Sequence, residues 1–94
     1  MNFKVYDELF EKADKLLPKK CDEKDPIAPV TISVLFSKAR WHLMEYDGED
    51  TYYGLAEIFE KELGYISKSE LRDLCKDRIL VFEFAPRKLS ELES

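Results

Sequence analysis

His42 is the only histidine in the chain, so any histidine-based acid–base or metal chemistry would have to use it. A catalytic imidazole needs an acid, a thiol or a hydroxyl within hydrogen-bonding distance. Strand alternation places His42 on the same face as Met44 and Tyr46, opposite Trp41 and Leu43. No partner can be identified from the sequence, so we interpret His42 as a partly exposed strand residue. An enzyme or ligand-binding site at His42 remains an alternative.

Two acidic runs could bind a hard cation through carboxylate oxygens. They are residues 47–50, with Asp47, Glu49 and Asp50, and residues 22–25. Neither run has the spacing of a calcium-binding loop, and neighbouring acids are expected in a chain with 20 Asp and Glu residues. We therefore predict solvated turns, with no metal ion, no cofactor and no catalytic residue.

Cysteine and glycine chemistry is limited as well. Cys21 and Cys75 lack the paired spacing of a metal site, and we expect both to be free thiols. The three glycines are Gly48, Gly54 and Gly64, and they form no phosphate-binding pattern. Nucleotide binding by a glycine-rich loop is therefore excluded.

Aromatic residues crowd the middle third of the chain, and exposed Trp and Tyr are favoured anchors of protein interfaces. They can equally fill the core of a small sheet, which is our first interpretation of most of them. If two or three are exposed within the acidic surface, a basic protein partner is the natural inference. The candidate binding residues are Trp41, His42, Tyr46, Asp47, Glu49, Asp50, Tyr52 and Tyr65.

The elements that would position these residues begin with an amphipathic helix. Apolar residues recur at helical spacing and predict a helix over about residues 3–17, which Pro18 ends. Residues 18–28 carry turn-forming residues and are predicted to be a loop. Alternating apolar residues from Val30 to Phe36 then predict a half-buried strand.

The central part of the chain favours further strands. Residues 41–46 predict a strand that pairs with the first as a hairpin, and residues 47–50 form a turn. Residues 51–64 fit either a strand or a short helix ending at Gly64, and we favour a strand over about 51–58. Ser67 and Glu70 have the spacing of a capping box, which predicts a short helix over about residues 68–75.

The last part of the chain predicts one strand and one helix. Residues 78–85 are rich in apolar strand formers and are predicted to lie near the sheet centre, ending at Pro86. Leu89 and Leu92 predict a short terminal helix. Residues 1–94 are thus predicted to form one α+β domain. An antiparallel sheet of about four strands is flanked by the N-terminal helix and one or two short helices, with this sheet-containing part at residues 29–92.

Composition narrows the class of protein further. The chain has 94 residues, 45% of them hydrophobic, which is enough for a single folded core. Its formal net charge of -5 repels phosphate and anionic lipid, so we expect neither nucleic acid nor a membrane as a direct partner. The longest apolar runs are far too short to cross a bilayer, and the first residues lack the features of a secretory signal. We therefore expect a cytoplasmic protein.

Several segments follow one another in a recognisable order. They are Trp41, Tyr52-Tyr53-Gly54-Leu55-Ala56, Glu60-Lys61-Glu62-Leu63-Gly64-Tyr65-Ile66-Ser67, Glu70-Leu71 and Phe84-x-Pro86-x-x-Leu89-Ser90-Glu91-Leu92. Over roughly residues 30–92 the chain resembles the bacterial and phage family called domain of unknown function 2958. The chain departs from the family at Leu43, where an aromatic residue is usual. The resemblance implies no reaction and no catalytic residue, but it implies a setting on phages, plasmids or integrative elements.

These observations lead to one leading hypothesis and three alternatives. The leading hypothesis is a non-enzymatic protein-interaction module of a phage or mobile genetic element. The first alternative is an acidic inhibitor of a host defence nuclease, with carboxylates in place of phosphates. The second is a small enzyme or ligand-binding domain that uses His42. The third is a component of a larger assembly, which a large exposed apolar patch would indicate.

Overall fold

The computed structural model describes residues 3–20 and 24–93. Cys21 and the first two acids of the run at residues 22–25 lie outside the described residues. The elements in chain order are α1 (Phe3–Leu16), β1 (Ile27–Ala28), β2 (Val30–Val34), β3 (Arg40–Tyr46), β4 (Thr51–Glu57), β5 (Lys61–Ser67), α2 (Lys68–Leu74), β6 (Leu80–Glu83), β7 (Arg87–Lys88) and α3 (Leu89–Glu93).

The main sheet has five strands in the order β5-β4-β3-β2-β6, and every neighbouring pair is antiparallel. Strands β2 to β5 form a meander joined by three tight turns. Strand β6 returns after α2 and pairs with β2 at the far edge. The short strands β1 and β7 form a separate two-stranded ladder.

One face of the sheet, which we call the α1 face, packs against the N-terminal helix. Helix α1 turns Tyr6, Phe10 and Ala13 toward the sheet, where they contact the buried side chains of the central strands. Phe10 meets Phe82 of β6 edge to face, with ring centroids 5.0 Å apart. Leu17 ends this apolar stripe immediately before Pro18, as the helical spacing predicts.

The opposite face, which we call the α3 face, is covered by the C-terminal segment. Leu92 of α3 and Ala28 of β1 pack on Met44 and Leu55 in a second buried cluster. Because both faces are covered here, four consecutive residues of β3, 41–44, are buried. Everything that β3 carries at these positions is therefore withdrawn from water.

Most of the predicted architecture is confirmed. The protein is a small α+β domain with an N-terminal helix and an antiparallel sheet, and β3 and β4 lie where the strands were expected. Helix α2 begins after Ser67, whose hydroxyl oxygen accepts a hydrogen bond from the backbone N–H of Glu70 at 3.3 Å. The last two residues of the predicted loop at 18–28 form β1 instead.

Two predictions about strands are wrong, and one strand was not recognised. The sheet has five strands where about four were predicted, and β5 is the additional one. β5 is an outer strand with mostly exposed residues, so it lacks the alternation of a half-buried strand. Strand β6 lies at an edge and not at the sheet centre. Strand β2 ends at Val34, so Phe36 lies in a turn instead of the core.

Candidate interaction surface

His42 lies in a buried hydrogen-bonded network on the α3 face. Its side chain is 2% exposed, although we had expected a partly exposed residue. The Nδ1 atom lies 2.9 Å from the hydroxyl oxygen of Thr31, and the Nε2 atom lies 2.9 Å from Oε2 of Glu57. The burial arises because β2 and β4 flank β3 and because the C-terminal segment covers this part of the sheet.

The donor and acceptor roles in this network follow from the carboxylate. Burial alone would raise the pKa of Glu57, but the hydrogen bond and positive charge of His42, together with Lys61, outweigh it and lower that pKa. An ionised Glu57 can only accept, so Nε2 of His42 carries a proton and donates it. Nδ1 then accepts from Thr31 in the neutral imidazole, or donates to it in the protonated form.

The same three residue types form hydroxyl–imidazole–carboxylate relays in enzymes. Here the hydroxyl-bearing residue Thr31 is only 3% exposed and faces the buried side of the sheet, so a substrate has no path to it. Glu57 is the acid beside His42 that an enzyme hypothesis requires. Thr31 and His42 are both buried, so the network does not open to solvent as a substrate site would. The arrangement satisfies buried polar groups and joins three strands.

A pH-dependent stability follows from the lowered pKa of Glu57. Its ionised form stabilises the folded state fully above the ordinary pKa of 4.5, and this contribution is lost as the pH falls through the lower folded value. We expect Glu57→Gln to reduce the free energy of unfolding by about 1–3 kcal/mol near neutral pH and to lose less than wild type on acidification. Urea unfolding at several pH values measures both effects.

The matched control for that experiment is Glu62→Gln, which removes the same charge from an exposed position on β5. We expect this control to keep the neutral-pH stability and the acid dependence of the wild type. Equal acid dependence in wild type and Glu57→Gln would show that the carboxylate does not stabilise the folded state.

Trp41, Tyr46 and Tyr52, which were candidate binding residues, all pack on the α1 face. Trp41 is 9% exposed and Tyr52 is completely buried, so neither offers a surface to a partner. A β-bulge between Leu43 and Glu45 reverses the alternation of β3, which moves Tyr46 to the face opposite His42. The hydroxyl of Tyr52 donates to Asp14 at 2.6 Å, and burial raises its pKa.

The acidic turn between β3 and β4 uses two of its carboxylates internally. Asp47 accepts hydrogen bonds from three backbone N–H groups of the turn, and the N–H of Glu49, the strongest of them, lowers the pKa of Asp47. Asp50 accepts from the backbone N–H and the hydroxyl of Ser69 at the start of α2. Both acids thus have a structural use in holding a turn and a helix start.

Tyr65 is the one candidate aromatic residue of the predicted set with a largely exposed ring. It lies on β5, is 82% exposed, and meets Tyr53 edge to face with ring centroids 5.4 Å apart. The structure therefore does not assemble the eight predicted binding residues into one site. Trp41, His42 and Tyr52 are buried, and Glu49 and Asp50 lie on an exposed turn. Asp47, Tyr52 and Tyr65 of the predicted set meet in the lining of one shallow hollow between that turn and the outer strand.

Among the described residues, the most exposed large apolar side chains lie in two turns at the end of the sheet opposite the acidic turn. Phe36 lies in the β2–β3 turn and Phe59 in the β4–β5 turn, and each is 99% exposed. Because β2 and β4 run in the same direction, both turns leave the sheet at the same end. Pairing of Arg40 with Glu57 across β3 and β4 brings the two turns side by side.

Phe36 occupies a backbone conformation that disfavours its side chain. The turn is closed by a hydrogen bond from the N–H of Ser37 to the carbonyl of Val34 at 3.1 Å, which makes Phe36 the third residue of the turn. Its φ is 64°, the left-handed region that Gly and Asn favour at this position. The conformation costs about 1–2 kcal/mol, and the exposed ring makes no packing contact that would offset this cost.

A shallow concave region of about 380 Å³ lies between the two turns. Its walls carry Lys38 of the β2–β3 turn and Arg40 of β3 on one side. Phe59 and Glu60 of the β4–β5 turn and Lys61 of β5 lie on the other. Leu35 joins the same end through a hydrogen bond from its N–H to the carbonyl of Ile79, at 2.9 Å. We call this end of the sheet the tip surface, and its exposed apolar residues are Leu35, Phe36, Ile58, Phe59 and Ile79.

Sequence reasoning missed the tip surface because both aromatic rings follow an apolar pattern. Phe36 continues the alternation of Val30, Ile32 and Val34, so it was assigned to the buried face of a strand. Phe59 fitted the helical alternative for residues 51–64. No local signal separates an inward from an outward phenylalanine, since the position of the turn decides it.

The fold and these features define a small α+β protein with an antiparallel five-stranded sheet and an aromatic tip surface. In residues 3–20 and 24–93, no group of three or more His, Cys, Asp or Glu residues could hold a metal ion. Over the same ranges, no helix has the length and apolarity needed to cross a membrane. Comparisons with models of known families, with curated proteins and with solved structures found no match. The resemblance to domain of unknown function 2958 stays a prediction.

Proposed function

We propose that this protein is a non-enzymatic protein-interaction module that binds a basic protein in the cytoplasm through its tip surface. A setting on a phage or mobile genetic element is part of the proposal and rests on the family resemblance. The observation that carries the proposal is the pair of phenylalanines, Phe36 and Phe59, each 99% exposed at one end of the sheet.

Two exposed phenylalanines on adjacent turns have the properties of binding anchors. Burying one large apolar side chain on association contributes about 1.5–3 kcal/mol, and aromatic residues dominate the energetics of protein interfaces. Phe36 and Phe59 stabilise nothing within the described residues, and Phe36 additionally strains its turn. Selection for a contact outside the chain explains both features.

Binding should have two contributions, a long-range attraction by the net charge of the protein and a direct contact by the aromatic rings. The concave region of the tip surface carries both signs, with three cations, Lys38, Arg40 and Lys61, and two acids, Glu57 and Glu60. The whole chain has a net charge of -5, which attracts a basic partner over distances beyond direct contact. Added salt should therefore slow association, while loss of the aromatic rings should speed dissociation.

The test uses the double variant Phe36→Asn/Phe59→Ser. Asparagine suits a left-handed turn position better than phenylalanine, so this variant should fold at least as stably as wild type. We expect it to lose at least about 30-fold in affinity, because two anchors of about 1 kcal/mol or more each are removed. A tagged pull-down from the native host identifies the partner, and binding to the purified partner gives the affinity.

The matched control is Val5→Ser/Leu16→Ser, which removes two exposed apolar residues from α1 that are 51% and 48% exposed. This control should retain the partner as well as wild type does. Retention of the partner by Phe36→Asn/Phe59→Ser would contradict the proposal, and so would the absence of any partner of wild type.

A further inference from the structure

Strand β5 is an uncovered edge of the main sheet. It spans Lys61–Ser67, pairs with β4 on one side, and has no strand on its other side among the described residues. Seven residues without a proline or a bulge leave a row of backbone donors and acceptors open to a further strand. Natural proteins normally shorten, bend or cover such an edge.

The opposite edge of the sheet is protected, which makes β5 distinctive. Strand β6 has only four residues, Leu80–Glu83, and Pro86 follows shortly after it. Short strands and prolines are the usual ways of preventing edge-to-edge association. On β5, by contrast, two apolar side chains stand exposed, Leu63 at 43% and Tyr65 at 82%.

The geometry points to a second copy of this chain as the partner of β5, and we propose an antiparallel β5–β5 pair with Gly64 opposite Gly64 of the second copy. In this register Leu63 of each copy lies opposite Tyr65 of the other, so exposed apolar residues meet on one face. Leu63 and Tyr65 share the α3 face, because they pair with Leu55 and Tyr53 of β4.

The charged residues of β5 fit the same register. Lys61 lies opposite Ser67 of the second copy and Glu62 opposite Ile66, so no like charges face each other across the pair. A hypothetical side chain at Gly64 would meet nothing within 4 Å, so the face of the sheet at the centre of the strand has room for an introduced side chain. Because both edges are identical, the outward backbone N–H groups of each copy can donate to the outward carbonyl groups of the other.

The pairing is independent of the tip surface and of its proposed partner. A single pair of edge strands lies at the small end of specific interfaces, which bury about 1,200–2,000 Å². We therefore expect a weak dimer, whose fraction rises with protein concentration. Continuity of the sheet across two copies would give ten strands, from the five that each copy holds.

The decisive experiment is disulfide trapping in full-length Cys21→Ser protein, where Cys75 is buried. In the proposed register Gly64→Cys places two introduced thiols directly opposite each other, within the distance of about 4.4–6.8 Å between Cα atoms that a disulfide needs. Diamide then accepts two electrons and two protons as the S–S bond forms. We expect covalent dimers, seen by non-reducing electrophoresis.

The matched control is Glu62→Cys on the same strand and equally accessible. Its two thiols would be offset by four residues, about 13 Å along the strands, and should not join. Dimers from Gly64→Cys alone support the proposed register. Equal trapping of both variants, or trapping of neither, overturns it.

A second measurement does not depend on cysteine chemistry. Leu63→Lys/Tyr65→Lys replaces two exposed residues and places like charges opposite each other across the pair, as does Leu63→Glu/Tyr65→Glu. Each variant alone should sediment as a monomer at concentrations where wild type dimerises. An equimolar mixture of the two should recover the dimer. Wild type that stays monomeric at every concentration, or a mixture that does not pair, overturns the proposal.

Discussion

Gly54→Ala is expected to unfold the protein or to lower its free energy of unfolding by more than about 3 kcal/mol. A Cβ atom at residue 54 would lie 2.1 Å from the carbonyl oxygen of His42 and 3.1 Å from the Cα of Leu43. Both are backbone atoms of the central strand β3, next to its bulge, so neither can move without disturbing two strand pairings. A protein of this size has only about 5–15 kcal/mol to lose.

The sheet provides a matched control for this substitution. Gly64 is the cross-strand neighbour of Gly54, and a Cβ atom there would meet nothing within 4 Å. Gly64→Ala should therefore leave the stability unchanged to within about 1 kcal/mol. Urea unfolding followed by the fluorescence of Trp41, the single tryptophan, measures both variants. Equal stabilities for the two would show that β3 and β4 do not approach so closely.

His42→Ala is expected to have the second largest effect, a loss of about 3 kcal/mol or more. The substitution leaves a cavity beneath the C-terminal segment and removes both hydrogen bonds of the imidazole. The hydroxyl of Thr31 then loses this partner in a buried site, whereas the carboxylate of Glu57 loses the imidazole and keeps its ion pair with Lys61 at 3.5 Å. Leaving a buried polar group unpaired costs more than its hydrogen bond contributes when formed.

Thr31→Val is the matched control for the network, because it keeps the shape of the side chain and removes a single hydrogen bond. We expect it to reduce the free energy of unfolding by about 1 kcal/mol. Differential scanning calorimetry compares the two variants at one pH. A cost of His42→Ala no greater than that of Thr31→Val would refute a structural role for the network.

The sequence predicts well those elements whose apolar residues recur at the regular spacing of a helix or a strand. Helix α1 repeats its apolar residues at helical spacing up to Pro18, and the structure buries that stripe. Strand β4 lies over Thr51–Glu57, close to the predicted 51–58, and Ser67 caps α2 as its spacing to Glu70 indicates. In each case the decisive contacts lie within a few residues of one another.

Features that depend on distant contacts could not be predicted in this way. His42 is buried by Thr31, 11 residues before it, and by Glu57, 15 residues after it. The bulge that turns Tyr46 to the α1 face has no marker in the residues around it. Strand β5 was missed because an outer strand needs no alternation, since much of its surface faces water.

The candidate surface shows the same division. Tyr65 was among the predicted binding residues and is exposed, whereas Trp41 and Tyr52 belong to the core that was our first interpretation of most aromatic residues. Phe36 was assigned to the core because its strand was extended by two residues. Where a strand ends depends on the hydrogen bonds of its turn, and alternation does not report them.

Photo-cross-linking in the native host tests the central claim, that the tip surface contacts the partner, most directly. A photoreactive phenylalanine analogue replaces Phe36, Phe59 or Glu49, one position at a time, and each product is identified by mass spectrometry. Phe36 and Phe59 occupy the tip surface, whereas Glu49 lies on the exposed acidic turn at the other end of the sheet. We predict that positions 36 and 59 cross-link to one and the same protein and that position 49 does not. Cross-links from position 49 alone would contradict the claim and favour the acidic-inhibitor alternative.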